Sequence, residues 1–478
     1  MKTYVKTTAI FAVLFSLHNH YAGTQEKKYE NAPKVVINAT EEMQTPEFWI
    51  SRIKGDVDRV LLTPEQIAQL NKETGQIPEK IKKLKDINGK PYSIDRVIRY
   101  NDITGAQYKI EDPLSMKTFP GDSLRARLAA NRNFFESRTY YDHRQMAFDD
   151  DWKNRLYEKT DAGSIPDVIT PRYGIISTHA MARVLPTNEM AYGKPAEWYI
   201  EGLQTGSIDV ATPVAVLHES KEKDWYYVRS ETAFGWVQAV NIALSPPEKI
   251  RAYVNAKDYI VALAHTVPVY SGSTFSSFVT DLYIGSTLKL VKKTGRGYHV
   301  LVLTREPDGS MEIVDGWVKP DANVSVGFQP FTQRNMIQTL FSLLYRPYSW
   351  NDANHEWNCC GYIRVVLRTF GIKTGSWPAF QMHYSDHTVV FPSDTPKEEK
   401  YKYLEGCDPG VTLVGGDGHM NVFLGIVDRR HYVIHMGGYD YTTGDGTVMM
   451  FRRVNVNETE LEGSYNIKDW TKISYLKP

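Results

Sequence analysis

Cysteine is scarce in this chain, with three in 478 residues. No Cys-x-x-Cys pair and no tight His/Cys knuckle occurs, so a structural zinc site lacks its usual ligand spacing. Metal stays open only as a competing reading, because His383, His387, His419 and His435 share the last third of the chain with all three thiols. An excess of either charge is also missing: Lys+Arg and Asp+Glu number 56 each, and no basic cluster interrupts the balance. That excludes the electrostatic footprint of a nucleic-acid binder. No stretch reaches the length of apolar sequence that spans a bilayer, so stable membrane insertion is not expected. What is present is the composition of a folded protein, 42% hydrophobic, 12% aromatic and 23% charged. The length predicts about two to four domains.

The first residues read as a secretory signal, spanning 1–23. Lys2 and Lys6 precede the short apolar run Thr7 to Leu17, and a polar exit ends in Ala22-Gly23. The expected location is therefore exported, periplasmic or extracellular. In such an oxidising compartment three thiols leave at least one unpaired. Two of the three are adjacent, Cys359 and Cys360, and Cys407 is the third.

Residues 24–164 read as mainly helical. Thr63-Pro64-Glu65-Gln66 opens one helix with a capping box and proline at its first position. Asp122 to Phe135 is a second candidate. From 165 to 330 the texture becomes short β-runs that repeat. Pro213 to Leu217, Trp225 to Val228 and Gly235-Trp236-Val237 are echoed by Leu288 to Val291, Tyr298 to Val302 and Gly316-Trp317-Val318. Strand, turn, aromatic strand and closing Gly-Trp-Val predict two small SH3-like barrels, over 165–248 and 249–330. From 331 to 478 the pattern is α then β. Thr332 can cap a helix carrying Met336, Ile337, Leu340 and Phe341. An irregular stretch then precedes strands at Met420 to Val427, Tyr432 to Met436 and Thr447 to Arg453.

The chemistry concentrates at Asn358-Cys359-Cys360-Gly361. Tyr362, Ile363, Val365, Val366, Leu367 and Phe370 follow at helical spacing, and Gly371 supplies a stop. A thiol on the first turn of a helix faces unpaired backbone N–H groups and the positive end of the macrodipole. Both favour thiolate, the nucleophilic form. A base is then required, and a group to orient it. Gly418-His419 starts an apolar strand and Ile434-His435 lies on the next one, but simple hairpin counting does not set the two histidines directly opposite each other.

Taken in order, these motifs resemble the NlpC/P60 family. Leu344-Tyr345-Arg346-Pro347-Tyr348-Ser349-Trp350 and Asn358-Cys359-Cys360-Gly361 are similar to its Pro-Tyr-x-Trp loop and Asp-Cys-Ser-Gly helix start. The two barrels, with Arg183-Val184-Leu185-Pro186-Thr187, resemble the SH3 domains of one subgroup. The resemblance implies a multidomain α+β protein with an N-terminal helical region, two SH3-like β-barrels and a C-terminal papain-like domain. It implies a cysteine endopeptidase that cuts the bond between γ-linked D-glutamate and the following diamino acid in peptidoglycan stem peptides, with no cofactor. By position, Cys359 is the nucleophile, His419 the base and His435 its orienter, while Tyr348, Asn358 and Cys360 line the substrate site. Asn358 stands where the family has Asp, and Cys360 where it has Ser. Alternatives are a non-catalytic cell-wall binding protein and a Cys-dependent amidase or acyltransferase. Cys360 as nucleophile, or as a redox partner of Cys359, also stays open. The sequence leaves the oligomeric state undetermined.

Overall fold

The computed structural model describes residues 29–31, 33–74, 77–92, 112–194, 200–231, 233–384, 387–438, 440–443, 445–461 and 466–476. The signal segment at 1–23 lies outside them. Among the described residues no helix is long and apolar enough to cross a membrane.

The N-terminal region forms helices over Pro46–Ile50, Pro64–Glu73, Ile77–Lys83, Gly121–Glu136 and Asp150–Lys159. The capping box is present: Gln66 N–H donates to Thr63 Oγ1 at 3.3 Å and Thr63 N–H to Gln66 Oε1 at 2.8 Å. These helices clothe the domains that follow. Trp49 is buried in the same apolar core as Leu367 and Tyr432, far along the chain.

A seven-stranded antiparallel sheet follows. Its order is Ile242–Leu244, Arg172–Ile176, Pro213–Glu219, Trp225–Arg229, Phe234–Gln238, Ala180–Arg183 and Gln204–Ile208. Strand side chains alternate between faces. Here Val214, Val216, Val228 and Val237 fill one core, while Ala215, Leu217, Trp225, Tyr227 and Trp236 fill another beneath Leu124 and Leu128 of the Gly121–Glu136 helix. The aromatic strand is therefore packing surface on both faces, which explains its lack of the usual polar alternation. Helix Pro247–Val254 leads to a second seven-stranded antiparallel sheet, with strands between Tyr259 and Val326. Its core is Ile260, Val267, Val269, Leu288, Val300, Val302 and Val318.

In the C-terminal part Thr332 caps the helix Gln333–Phe341, accepting from Asn335 N–H at 3.1 Å. The cysteine helix runs Cys359–Arg368, and every residue from Cys359 to Leu367 is buried. A helix enclosed on all sides is a core element rather than a surface one. It ends where Gly371 takes φ +79°. Six strands pack with it in the order Thr388–Val390, Lys472–Tyr475, Thr412–Gly415, Met420–Val427, Arg430–Met436 and Val454–Glu458.

Three details differ from the sequence reading. The stretch from Lys373 to Gly416 is not wholly irregular, since it holds short helices at Pro378–Gln381 and Lys397–Leu404 as well as two of the six strands. The expected Thr447 to Arg453 strand shrinks to Val448–Met450 and pairs outside this sheet, with Tyr29–Asn31 and Asp440–Thr442. The strand beside His435 is instead Val454–Glu458, whose Val-Asn alternation is buried on both faces.

Candidate active site

The nucleophile helix is set by its first turn. Asn358 is the N-cap, and its Oδ1 accepts from Gly361 N–H at 2.8 Å. Asp352, from the preceding loop, lies so close over the helix that a Cβ on Gly361 would sit 2.0 Å from its Oδ1. The same carboxylate pairs with Arg364 and accepts from Asn358 N–H at 3.3 Å. Burial pushes the Asp352 carboxyl up, against the pull of Arg364. The loop bends through left-handed conformations at Asn351, Asp352, Asn354 and His355, residue types that tolerate them. Both sheets brace it: Asn351 Nδ2 donates to Gln204 O at 2.7 Å, and His265 Nε2 lies 3.0 Å from His355 O.

The two thiols differ in their surroundings. Cys360 is 2% exposed, and its Sγ lies 3.0 Å from Asn358 Oδ1 and 3.1 Å from Ser376 O. Burial pushes its thiol well up, and the neighbouring Cys359 adds to the effect. Cys359, 7% exposed, moves the opposite way. A hydrogen bond from Cys360 lowers its thiol well below the ordinary range, burial opposes, and the charge of His419 and a hydrogen bond to it reinforce the shift. The two neighbouring thiols are thus pushed in opposite directions.

His419 and His435 are both buried, and His419 Nε2 lies 2.8 Å from His435 Nδ1 with the rings at 86°. A β-bulge makes this possible. The hairpin closes tightly, with Val427 opposite Arg430 and Asp428 and Arg429 at φ 48° and 62°. Between Phe423 and Gly425 the register shifts by one residue, so Val422 stands opposite Ile434. Continued, that register sets His435 opposite Asn421, with His419 two residues along on the same face. Unbulged counting would set His435 opposite Val422 and turn His419 to the other face, because side chains alternate with period two. Burial, then the charge of His419, holds His435 well below the ordinary imidazole range.

Comparison with known proteins can now be set against this geometry. A family model described as an SH3 domain of the SH3b1 type matches residues 192–238. No curated protein matches the chain. An NlpC/P60 endopeptidase from Photobacterium damselae subsp. piscicida superposes with a TM-score of 0.67 at 15% identity, over 90% of this chain and 96% of that one. The chain has the NlpC/P60 fold with a bacterial SH3 domain. An NlpC/P60 family protein from Bacillus cereus also matches, with a TM-score of 0.43 at 14% identity, over 64% of this chain and all of that one (100%). So does NlpC2 from Trichomonas vaginalis, with a TM-score of 0.22 at 12% identity, over 63% of this chain and 98% of that one.

Within this NlpC/P60 fold the structure gathers Asn358, Cys359, Cys360, His419 and His435 into one cluster. Tyr348 stands beside it: half-buried, its ring lies against Gly438 just past the His435 strand, where a Cβ would come within 2.6 Å of the ring. Sequence reasoning missed Asn457, whose Oδ1 lies 2.8 Å from His435 Nε2. The only available signal was a polar residue alternating with valine in a late strand. His383, in the stretch read from sequence as irregular, is 2% exposed and follows the short helix Pro378–Gln381. All three cysteines are free thiols, and Cys407 Sγ lies 3.1 Å from Tyr403 O and 2.8 Å from Tyr475 Oη.

Proposed function

We propose that this chain is an exported cysteine endopeptidase acting on peptidoglycan stem peptides, cutting between γ-linked D-glutamate and the following diamino acid. The observation that carries the reading is the pairing of a depressed Cys359 thiol with His419, itself backed by His435. In this mechanism the Cys359 thiolate attacks the scissile carbonyl, and the negative charge that develops on oxygen meets the Cys359 backbone N–H at the helix N-terminus. His419, having taken the thiol proton, returns it to the leaving amine. Water then releases the acyl group from sulfur, with His419 again taking a proton. His435 keeps the base ring in place.

We read the two seven-stranded sheets as tandem SH3-like barrels, over 165–248 and 249–330, and 331–478 as the peptidase domain. The grip of both sheets on the 350–358 loop fits barrels that wall the cleft and favour short, end-cut peptides. Tyr348, Asn358 and Cys360 belong to the wall and floor of that cleft.

Incubation with the tripeptide L-Ala-γ-D-Glu-diaminopimelate, followed by mass spectrometry, tests the reading. The expected products are L-Ala-γ-D-Glu and free diaminopimelate, and Cys359→Ala abolishes them. Binding without cleavage, or release of ammonia or an acyl-transfer product in place of diaminopimelate, contradicts it.

A further inference from the structure

We infer that Asn457 is a positioning residue that fixes the protonation pattern of both histidines, so that His419 presents a proton-accepting nitrogen to Cys359. This inference rests on the peptidase reading for its consequence, but its evidence is the hydrogen-bond chain itself.

The chain starts at the backbone. Asn457 is buried, and its Nδ2 donates to the Glu458 carbonyl at 2.8 Å. A carbonyl only accepts, so the amide cannot be turned the other way, and Oδ1 is the atom that faces His435 Nε2 at 2.8 Å. An amide oxygen likewise only accepts, so His435 Nε2 carries the hydrogen. The buried ring is neutral, so its Nδ1 holds a lone pair. His419 Nε2, 2.8 Å away, must then be the donor. The remaining nitrogen of His419, Nδ1, is left for the proton of the Cys359 thiol. On proton transfer the S–H bond breaks, its electron pair stays on sulfur, and an N–H bond forms at Nδ1. Nothing else in the chain has to move.

The geometry supports one direction throughout. Asn457 lies diagonally across from His435, which stands opposite Asn455 in the ladder, and His419 lies diagonally on the other side. Three neighbouring strands thus carry one line of donors and acceptors. Were His435 to carry its hydrogen on Nδ1, His419 Nε2 would need the lone pair. Its hydrogen would then point at the thiol, and the base would be disabled.

The test reads tautomers directly, by two-bond proton–nitrogen correlation spectra of the full chain labelled with ¹⁵N-histidine. His419→Gln and His435→Gln variants assign the two rings. The expected result is His435 neutral with its hydrogen on Nε2, and His419 carrying a hydrogen on Nε2. A His435 with its hydrogen on Nδ1, or one doubly protonated at neutral pH, overturns the inference. This readout needs no substrate, so it stands or falls apart from the choice of peptide. With the tripeptide as substrate, Asn457→Leu lowers kcat by about tenfold to a hundredfold, part of what a general base supplies, and leaves KM unchanged. Equal kcat in the parent and a folded Asn457→Leu overturns the inference.

Discussion

The residue that most distinguishes this site is Asn358. Its Oδ1 accepts the Gly361 N–H at 2.8 Å and lies 3.0 Å from the Cys360 Sγ. The residue therefore serves the helix, and it brings no charge to a substrate amine. Charge-assisted hydrogen bonds are roughly twice as strong as neutral ones, so on the proposed function only weak recognition of a free L-alanine amine is expected here. The expected outcome is that stem peptides with free and acylated L-alanine are cleaved at similar rates, and a strong preference for the free amine would contradict it. Asn358→Ala removes the cap and leaves the Gly361 N–H short of a partner, while the Cys360 thiol keeps Ser376 O. A loss of about 1 kcal/mol is expected from the cap, read by denaturant titration. The sequence made Cys359 and His419 legible because thiol, base and helix start are rare features. It could not show that the Cys360 thiol lies against Asn358 Oδ1, since that depends on which way the Cys360 side chain turns.

At the scale of elements the decisive feature is the bulge at Leu424. Gly425, at φ +139°, takes a backbone conformation that side chains rarely adopt, and the strand gains one residue there without disturbing its apolar face. Met420, Val422 and Leu424 stay in the core shared with the cysteine helix, while His419 and His435 share the other face. Deleting Leu424 restores regular pairing at the cost of turning His419 away from His435. The predicted result is loss of detectable hydrolysis with the hairpin retained, measured by turnover and circular dichroism. Activity within a few-fold of the parent would show that the bulge does not set the pair. The apolar runs of both strands were readable from sequence, but one extra residue in eight leaves the hydrophobic pattern almost unchanged. The strand Val454–Glu458 was missed for a related reason. Asn455 and Asn457 look like solvent-facing residues until their partners at Phe451, Arg453 and His435 are known.

At the scale of the whole molecule, distant segments converge on the loop that precedes His419. Asp417, two residues before His419, pairs with the buried Lys472, and Tyr92 of the N-terminal region donates to its carboxylate at 2.7 Å. Lys472 Nζ also donates to Tyr92 Oη at 2.8 Å. Burial pulls the Asp417 carboxyl up, but Lys472 outweighs it and holds the group below its ordinary range. A carboxyl depressed by folding contributes stability in full above its unfolded value, about 3.9, and loses it as pH falls through the folded value. Lys472→Met, which strands the carboxylate, is expected to cost about 3 kcal/mol at pH 7. The cost should shrink below about pH 4 as Asp417 is protonated. Thermal unfolding at the two pH values checks this, and an equal loss at both would contradict it. A second junction ties the first sheet to the far end of the cysteine helix, where buried Asp209 pairs with Arg368 and His179. The repeated β texture was legible because it follows from local pattern. These junctions were not, because they join residues hundreds of positions apart whose types have no local meaning.

The central claim is that Cys359, activated by His419, forms the covalent bond to substrate while Cys360 stays a buried donor. Acid quenching of a single turnover with L-Ala-γ-D-Glu-diaminopimelate, followed by peptide mapping, tests it most directly. The account predicts an L-Ala-γ-D-Glu acyl group on Cys359, retained in Cys360→Ser and absent from Cys359→Ala. An acyl group on Cys360, or full turnover in Cys359→Ala, would contradict it.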